Sequence, residues 1–294
     1  MLNPHKSSAP AFSTGFLLFL MVFMLISIGN ISAQIKSCCN THSLDQFAML
    51  GADADFQAAH MDPLPFNFVP AKGKMITFPV KDGKEGNAFL IKTGSESDKY
   101  LFVIHEWWGL NDYIKKESEK YADNFPDVNI IAIDLYDGQI AANKDEASKI
   151  MQTIKKERAE AIINGALAYV GTDAKIQSIG WCFGGGWSLQ TALLAGKQSK
   201  GCVMYYGPPE DNASRLATLN GPVLGIFASK DGWINKPMID AFELQMRELN
   251  KSLTVHWFDA DHAFANPSNP QYDAAATAKA RELAIRFLKD NYAK

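Results

Sequence analysis

The sequence predicts an α/β fold with a mostly parallel central sheet and helices on both faces. Three observations carry that expectation. Short apolar runs alternate with longer amphipathic stretches from residue 75 onward, no internal repeat or low-complexity block interrupts them, and a polar residue capable of chemistry follows several of the runs. In parallel sheets ligands bind at the carboxyl ends of the strands, so those polar residues hold most of the information about function.

The chain begins with an apolar run of 11 residues, Phe16 to Ile26, preceded by His5 and Lys6 and followed by the small-residue stretch Ser27 to Ala33. A spanning helix needs about 20 apolar residues, so the run matches the core of a secretory signal peptide. Residues 1 to 33 are therefore expected to be a leader cleaved near Ala33, with export of the remainder. The alternative is a membrane anchor through residues 16 to 31. After cleavage no stable membrane insertion is expected.

Residues 34 to 74 mix residue types around Pro63, Pro65 and Pro70 without a sustained period. They read as an N-terminal extension draped on the domain, with a short helix near Leu44 to Leu50. Cys38 and Cys39 are adjacent, which is neither zinc-site nor Cys-x-x-Cys spacing.

Residues 75 to 294 read as one domain. Met75 to Val80 and Gly86 to Lys92 form an expected hairpin around Lys81-Asp82-Gly83. Strands are expected at Tyr100 to His105, Asn129 to Leu135, Ile176 to Gly180, Cys202 to Tyr206, Val223 to Ala228 and Leu253 to Phe258. Helices are expected at Asp112 to Phe125, Lys144 to Tyr169, Gly185 to Ala195, Pro237 to Asn250 and Tyr272 to Asp290. The residues at or just beyond the strand ends are Glu106, Asp134, Cys182, Asp231 and His262.

Composition narrows the function. The 294 residues carry 29 basic and 32 acidic side chains, a formal net charge of -3, and 47% are hydrophobic. Without a basic block to neutralise phosphates, nucleic-acid binding has no electrostatic support. The 21% of charged residues is compatible with a packed core rather than a disordered chain.

The strongest local signal is Ile179-Gly180-Trp181-Cys182-Phe183-Gly184-Gly185, a strand running directly into a helix. A nucleophile on such a sharp turn needs small neighbours two residues before and after it, and Gly180 and Gly184 supply both. The turn would expose the Cys182 sulfur above a helix N-terminus and aim the Phe183 amide at an oxyanion. A buried cysteine that only fills space is the plain alternative, and the turn lacks the Gly-Lys-Ser/Thr ending of a phosphate loop.

Partners occur downstream in the order nucleophile, acid, histidine, which is the chain order of α/β-hydrolases. Asp231 follows one strand, and Asp259, Asp261 and His262 follow the last. His262 is the expected base and Asp231 the expected orienting acid, with Asp259 and Asp261 as alternatives. His42 and His60 fit less well because they sit in the extension, and His256 lies inside a strand. Glu106 opens the loop Glu106-Trp107-Trp108-Gly109. That loop usually supplies the second oxyanion amide in this fold, making the backbone N–H of Trp107 the candidate.

Taken with His105-Glu106-Trp107-Trp108-Gly109, Asp134-Leu135-Tyr136, Tyr205-Tyr206-Gly207 and Asp261-His262-Ala263-Phe264, these residues resemble the dienelactone hydrolases, a family of cysteine-dependent α/β-hydrolases. The resemblance runs from about Lys74 to Leu288. It implies a Cys182-His262-Asp231 triad, with Glu106 matching a family glutamate that contacts the resting thiol and helps form thiolate. Known dienelactone enzymes hold a substrate carboxylate with an arginine shortly after the histidine, and here Asn266 stands in that region. Losing a bidentate guanidinium should weaken recognition of a small anionic lactone. Trp107, Trp108 and Trp233 would instead offer an apolar pocket wall suited to an uncharged or aromatic ester.

The expected activity is hydrolysis of a small-molecule carboxylic ester or lactone through a thioester acyl-enzyme, with no metal or organic cofactor implied. Two other readings compete: a non-catalytic ligand-binding protein on the same scaffold, and a thiol-redox protein pairing Cys182 with Cys38 or Cys39.

Overall fold

Eight strands make one sheet in the spatial order β1-β2-β4-β3-β5-β6-β7-β8. The computed structural model describes residues 43–293, so the expected leader, its cleavage point and the Cys38-Cys39 pair lie outside the described residues. The strands are β1 Lys74–Pro79, β2 Glu85–Ile91, β3 Lys99–Ile104, β4 Asn129–Asp134, β5 Lys175–Trp181, β6 Ser199–Tyr205, β7 Val223–Ala228 and β8 Leu253–Phe258. β1 pairs with β2, and β2 with β4, in antiparallel register, while every pair from β4 through β3 to β8 is parallel. All residues of β4 and β7 are buried, as strands covered on both faces must be.

The helices are α1 Ser43–Met49, α2 Ala54–Ala59, α3 Asp112–Asn124, α4 Lys144–Thr153, α5 Lys156–Val170, α6 Phe183–Ala195, α7 Ala213–Leu216, α8 Lys236–Glu248 and α9 Ala274–Tyr292. Side-chain caps begin several of them: Asn111 accepts from the Ile114 amide, Asn143 from Glu146, Asn235 from Met238 and Asp273 from Ala276. α3 and α9 are joined by an Arg281–Glu117 ion pair, and α5 and α6 pack against each other. Among the described residues no helix is long and apolar enough to cross a membrane.

The single helix expected over Lys144 to Tyr169 is two. Ile154 and Lys155 take extended backbone at ψ 129° and 135° between α4 and α5. No glycine or proline marks that break, and helix propensity continues through it. The two helices bury separate apolar faces, Ala147, Ile150 and Met151 in one and Ala159, Ile162, Ile163 and Ala166 in the other, so packing overrides propensity.

The segment before β1 also differs from its expected form. A second helix, α2, follows α1, capped by Asp53 accepting from the Phe56 amide at 2.8 Å. Ser148 of α4 donates to the Gly51 carbonyl at 2.5 Å, and Gln57 donates to the same carbonyl at 2.7 Å. Beyond α2 the chain runs over α3, where Glu119 accepts from the amides of Ala71 and Lys72. Phe56 is fully buried.

Candidate active site

The site is built at the carboxyl ends of β3, β5, β7 and β8. Cys182 sits between β5 and α6 at φ 54°, ψ -118°, a left-handed backbone that a non-glycine residue adopts only where surrounding structure forces it. The neighbouring glycines are what permit the turn. A Cβ on Gly180 would lie 2.0 Å from the Gly184 carbonyl oxygen, and one on Gly184 would lie 2.3 Å from the His105 oxygen.

Four elements bring the expected groups together. The Cys182 sulfur is 3.3 Å from His262 Nε2, and His262 Nδ1 is 2.6 Å from Asp231 Oδ2. The other Asp231 oxygen accepts from the amides of Trp233 and Ile234, both at 2.9 Å. These contacts hold the carboxylate edge-on to the imidazole. Burial pushes the Asp231 carboxyl up, but the His262 charge and hydrogen bond together with those amides outweigh it and hold the group below its usual range. His262 donates from Nδ1 to Asp231 and turns its other ring nitrogen, Nε2, toward the sulfur. Asp259 is taken by Lys230 at 3.0 Å, and Asp261 is exposed.

The thiol rests protonated. Burial raises its pKa well above the usual thiol value and the charge of Glu106 raises it further, while a hydrogen bond from the Phe183 amide favours the thiolate. That amide therefore lies beside the sulfur. Trp107 is fully buried in the loop after β3, and its indole N–H has no partner among the described residues.

Glu106 is hydrogen-bonded to two side chains of the site. Asn266 Nδ2 donates to its Oε2 and the Tyr206 hydroxyl lies 3.5 Å from its Oε1. Burial pushes its carboxyl up to about 8, against the pull of both hydrogen bonds, so it is largely neutral at pH 7. Asn266 is itself fixed, because its side-chain oxygen accepts from the Ser268 amide and hydroxyl. His105, one residue earlier, donates from Nδ1 to the Glu106 carbonyl and accepts from the Leu135 amide at Nε2, which ties the ends of β3 and β4 together in a neutral tautomer. Asp134 serves the same loop by accepting from the amides of Tyr136 and Gly138.

The expected aromatic walls divide. Trp108 is buried and lines a small cavity of about 30 Å³ with Glu106 and Asn266. Trp233 is partly buried, 5.8 Å from the His262 ring, and borders an apolar cleft of about 680 Å³ with Phe47, Leu50, Ile234 and Met238. Arg158 is engaged elsewhere, forked onto Asp82 and Asp137.

His60, which fits less well on sequence because it lies in the extension, reaches the Cys182 sulfur. Its Nε2 is 3.8 Å from the Cys182 sulfur, its ring is 5.0 Å from that of His262, and it is 2% exposed. Its Nδ1 donates to the Phe56 carbonyl at 2.7 Å, leaving the Nε2 lone pair facing sulfur. Burial and the His262 charge lower its pKa to about 3, against the pull of that carbonyl and of Asp231, so it is neutral. Phe56 stands beside it, edge-on to Trp107 and Trp233. Its sequence signal is slight: Asp53 caps a helix of only six residues, with Phe56 and His60 four apart. Atoms of His60, Cys182 and His262 lie within 4.8 Å of one another and form a buried set able to hold a metal ion.

The model of the dienelactone hydrolase family matches residues 87–292, which include Glu106, Cys182, Asp231 and His262. The chain belongs to the dienelactone hydrolase family. It is 26% identical over 229 residues to a protein of Aquifex aeolicus (strain VF5) named "Putative carboxymethylenebutenolidase", covering 74% of this chain and 98% of that one. It is 23% identical over 227 residues to carboxymethylenebutenolidase 1 of Cupriavidus pinatubonensis, covering 71% and 95%. Among solved structures it is similar to a dienelactone hydrolase-like promiscuous phosphotriesterase from metagenomic libraries, at TM-score 0.64 and 20% identity over 75% of this chain and 99% of that one. The family match begins inside β2, so His60 and Phe56 lie outside the matched region.

Proposed function

We propose that this family member hydrolyses a neutral carboxylic ester or lactone through a thioester formed on Cys182. The observation that carries the reading is the continuous line from Asp231 Oδ2 through His262 to the Cys182 sulfur, at 2.6 and 3.3 Å, on a nucleophile in left-handed backbone. As sulfur attacks the carbonyl carbon, His262 Nε2 takes the thiol proton, and Asp231 stabilises the resulting imidazolium. The amides of Phe183 and Trp107 receive the oxyanion. The alcohol departs with the proton from His262. Water then attacks the thioester, gives its proton to His262, and the acid leaves as sulfur recovers the proton.

Proton transfer coupled to attack suits a thiol held protonated, because a free thiolate would be opposed by burial and by Glu106. The same electrostatics argue for the substrate class. The ionised carboxylate of Asp231 acts on the thiol and would oppose a carboxylated substrate. The apolar cleft on the far side of Trp233, which Cys182 and His262 do not line, would take an aromatic or aliphatic group that extends past the indole. Glu106, neutral and hydrogen-bonded by Asn266, keeps that repulsion low in the resting state. Export through residues 1 to 33 belongs to the same reading, and a mature N-terminus at Gln34 is its expected mark.

A p-nitrophenyl ester of a neutral acid should give a burst of nitrophenol equal to the enzyme concentration, followed by slower turnover. Cys182→Ala should abolish both phases. Full turnover in that variant would overturn the assignment.

A further inference from the structure

We propose that His60, Cys182 and His262 form a binding site for a thiophilic divalent cation of the Zn²⁺ class, which caps the nucleophile when bound. One thiol and two imidazoles are a donor set suited to zinc, and three protein ligands leave a fourth position for water. The spacing fits. With metal–sulfur and metal–nitrogen bonds of about 2.3 and 2.05 Å, a tetrahedral ion holds sulfur and nitrogen ligands about 3.6 Å apart. The two sulfur–nitrogen distances here are 3.3 and 3.8 Å, bracketing that value.

Orientation agrees with spacing. A metal-binding imidazole ordinarily donates its far N–H to a carboxylate or a backbone carbonyl, which fixes the free nitrogen toward the ion. His262 donates to Asp231 and His60 donates to the Phe56 carbonyl, so both lone pairs converge on the sulfur. The catalytic line needs one such lone pair, and the second is unexplained by it. The two imidazole nitrogens lie within 4.8 Å and must close toward the roughly 3.3 Å of a tetrahedral pair. His60 can supply that movement, because it follows the six-residue α2 and precedes a stretch, residues 61 to 73, outside regular structure.

Binding exchanges the S–H proton, released to solvent, for a sulfur–metal bond, with no change of oxidation state. A metal-bound sulfur cannot attack an ester, so occupancy and hydrolysis exclude each other. The metal site stands on its own geometry, whereas its inhibitory consequence rests on the reading of Cys182 as nucleophile.

Titration of the full chain with Co²⁺ tests the site directly. The expected result is a sulfur-to-cobalt charge-transfer band with the visible bands of a four-coordinate ion, at one equivalent. Zn²⁺ should displace the Co²⁺ and erase the spectrum. Cys182→Ser should remove the charge-transfer band, and His60→Gln should weaken Zn²⁺ binding at least tenfold in a chelator competition while far-ultraviolet circular dichroism is retained. No band, or a band unchanged in Cys182→Ser, would overturn the site. Zn²⁺ should also stop ester turnover, with recovery on chelation. A Co²⁺ spectrum alongside undiminished turnover would leave the site standing and contradict the nucleophile, and turnover lost in Cys182→Ser without any Co²⁺ spectrum would do the reverse.

Discussion

The strand ends of the sheet and the segment before β1 face the same sulfur from different directions, and they were built by different rules. At the strand ends each group is fixed by its own local structure: Cys182 by glycines two residues away, Asp231 by amides two and three residues ahead. His60 and Phe56 reach the site through contacts far away in sequence, with Ser148 gripping Gly51 from α4. The groups at the strand ends are therefore placed by the fold itself, whereas those of the segment 43 to 73 are placed by long-range packing.

That contrast can be broken at four points. The largest effect is expected at the strand ends, where His262→Ala should lower kcat/KM by about 10⁴-fold while the folded far-ultraviolet circular dichroism spectrum is retained. A variant that keeps a tenth or more of its activity would assign the base to another group. Phe56→Ala comes next and should act on stability, lowering unfolding free energy by about 3 to 5 kcal/mol in urea titration, since a fully buried ring is removed from between Phe47, Trp107 and Trp233. A loss below about 1 kcal/mol would mean that the segment is not part of the cooperative core.

Glu106 gives a pH-dependent effect of intermediate size. Its carboxyl is near 8 in the folded protein against an ordinary 4.5, so between those values the unfolded chain has lost a proton that the folded protein keeps. Its contribution to stability is fully present below pH 4.5 and is lost as pH rises toward 8, with a slope up to about 1.4 kcal/mol per pH unit. Glu106→Gln should remove that slope, read as the difference between variant and parent in unfolding experiments from pH 5 to 8. A parallel pair of curves would show the group ionised throughout. The smallest effect is expected from Ser148→Ala, which removes a buried hydroxyl donor to Gly51 and should cost about 1 kcal/mol without altering kcat. A changed kcat would show that the segment positions catalytic groups.

Much of the site was readable because its signals are local. The β5–α6 turn announces itself through Gly180, Cys182 and Gly184, and the last strand delivers Asp261-His262 within four residues of its end. The choice among Asp231, Asp259 and Asp261 was not readable, because it depends on which loop folds toward the imidazole. Only the structure turns Asp259 to Lys230 and Asp231 to His262. The partners of Glu106 were hidden for the same reason: Asn266 is 160 residues away in sequence. His60 was hidden most deeply, since a six-residue helix leaves almost no periodic trace and its target lies 122 residues downstream. The break between α4 and α5 leaves none, because it follows from tertiary packing: α5 lies on β1, β2 and β4, whereas α4 lies on α1, α2 and residues 50 to 52.

The most direct measurement of the central claim is the mass of the protein during turnover. Mixed with a slowly deacylating neutral ester and quenched in acid, the chain should gain the mass of one acyl group, located by peptide mapping on Cys182 and released by hydroxylamine. An acyl group on any other residue, or turnover with no acylated species at any quench time, would contradict hydrolysis through a Cys182 thioester.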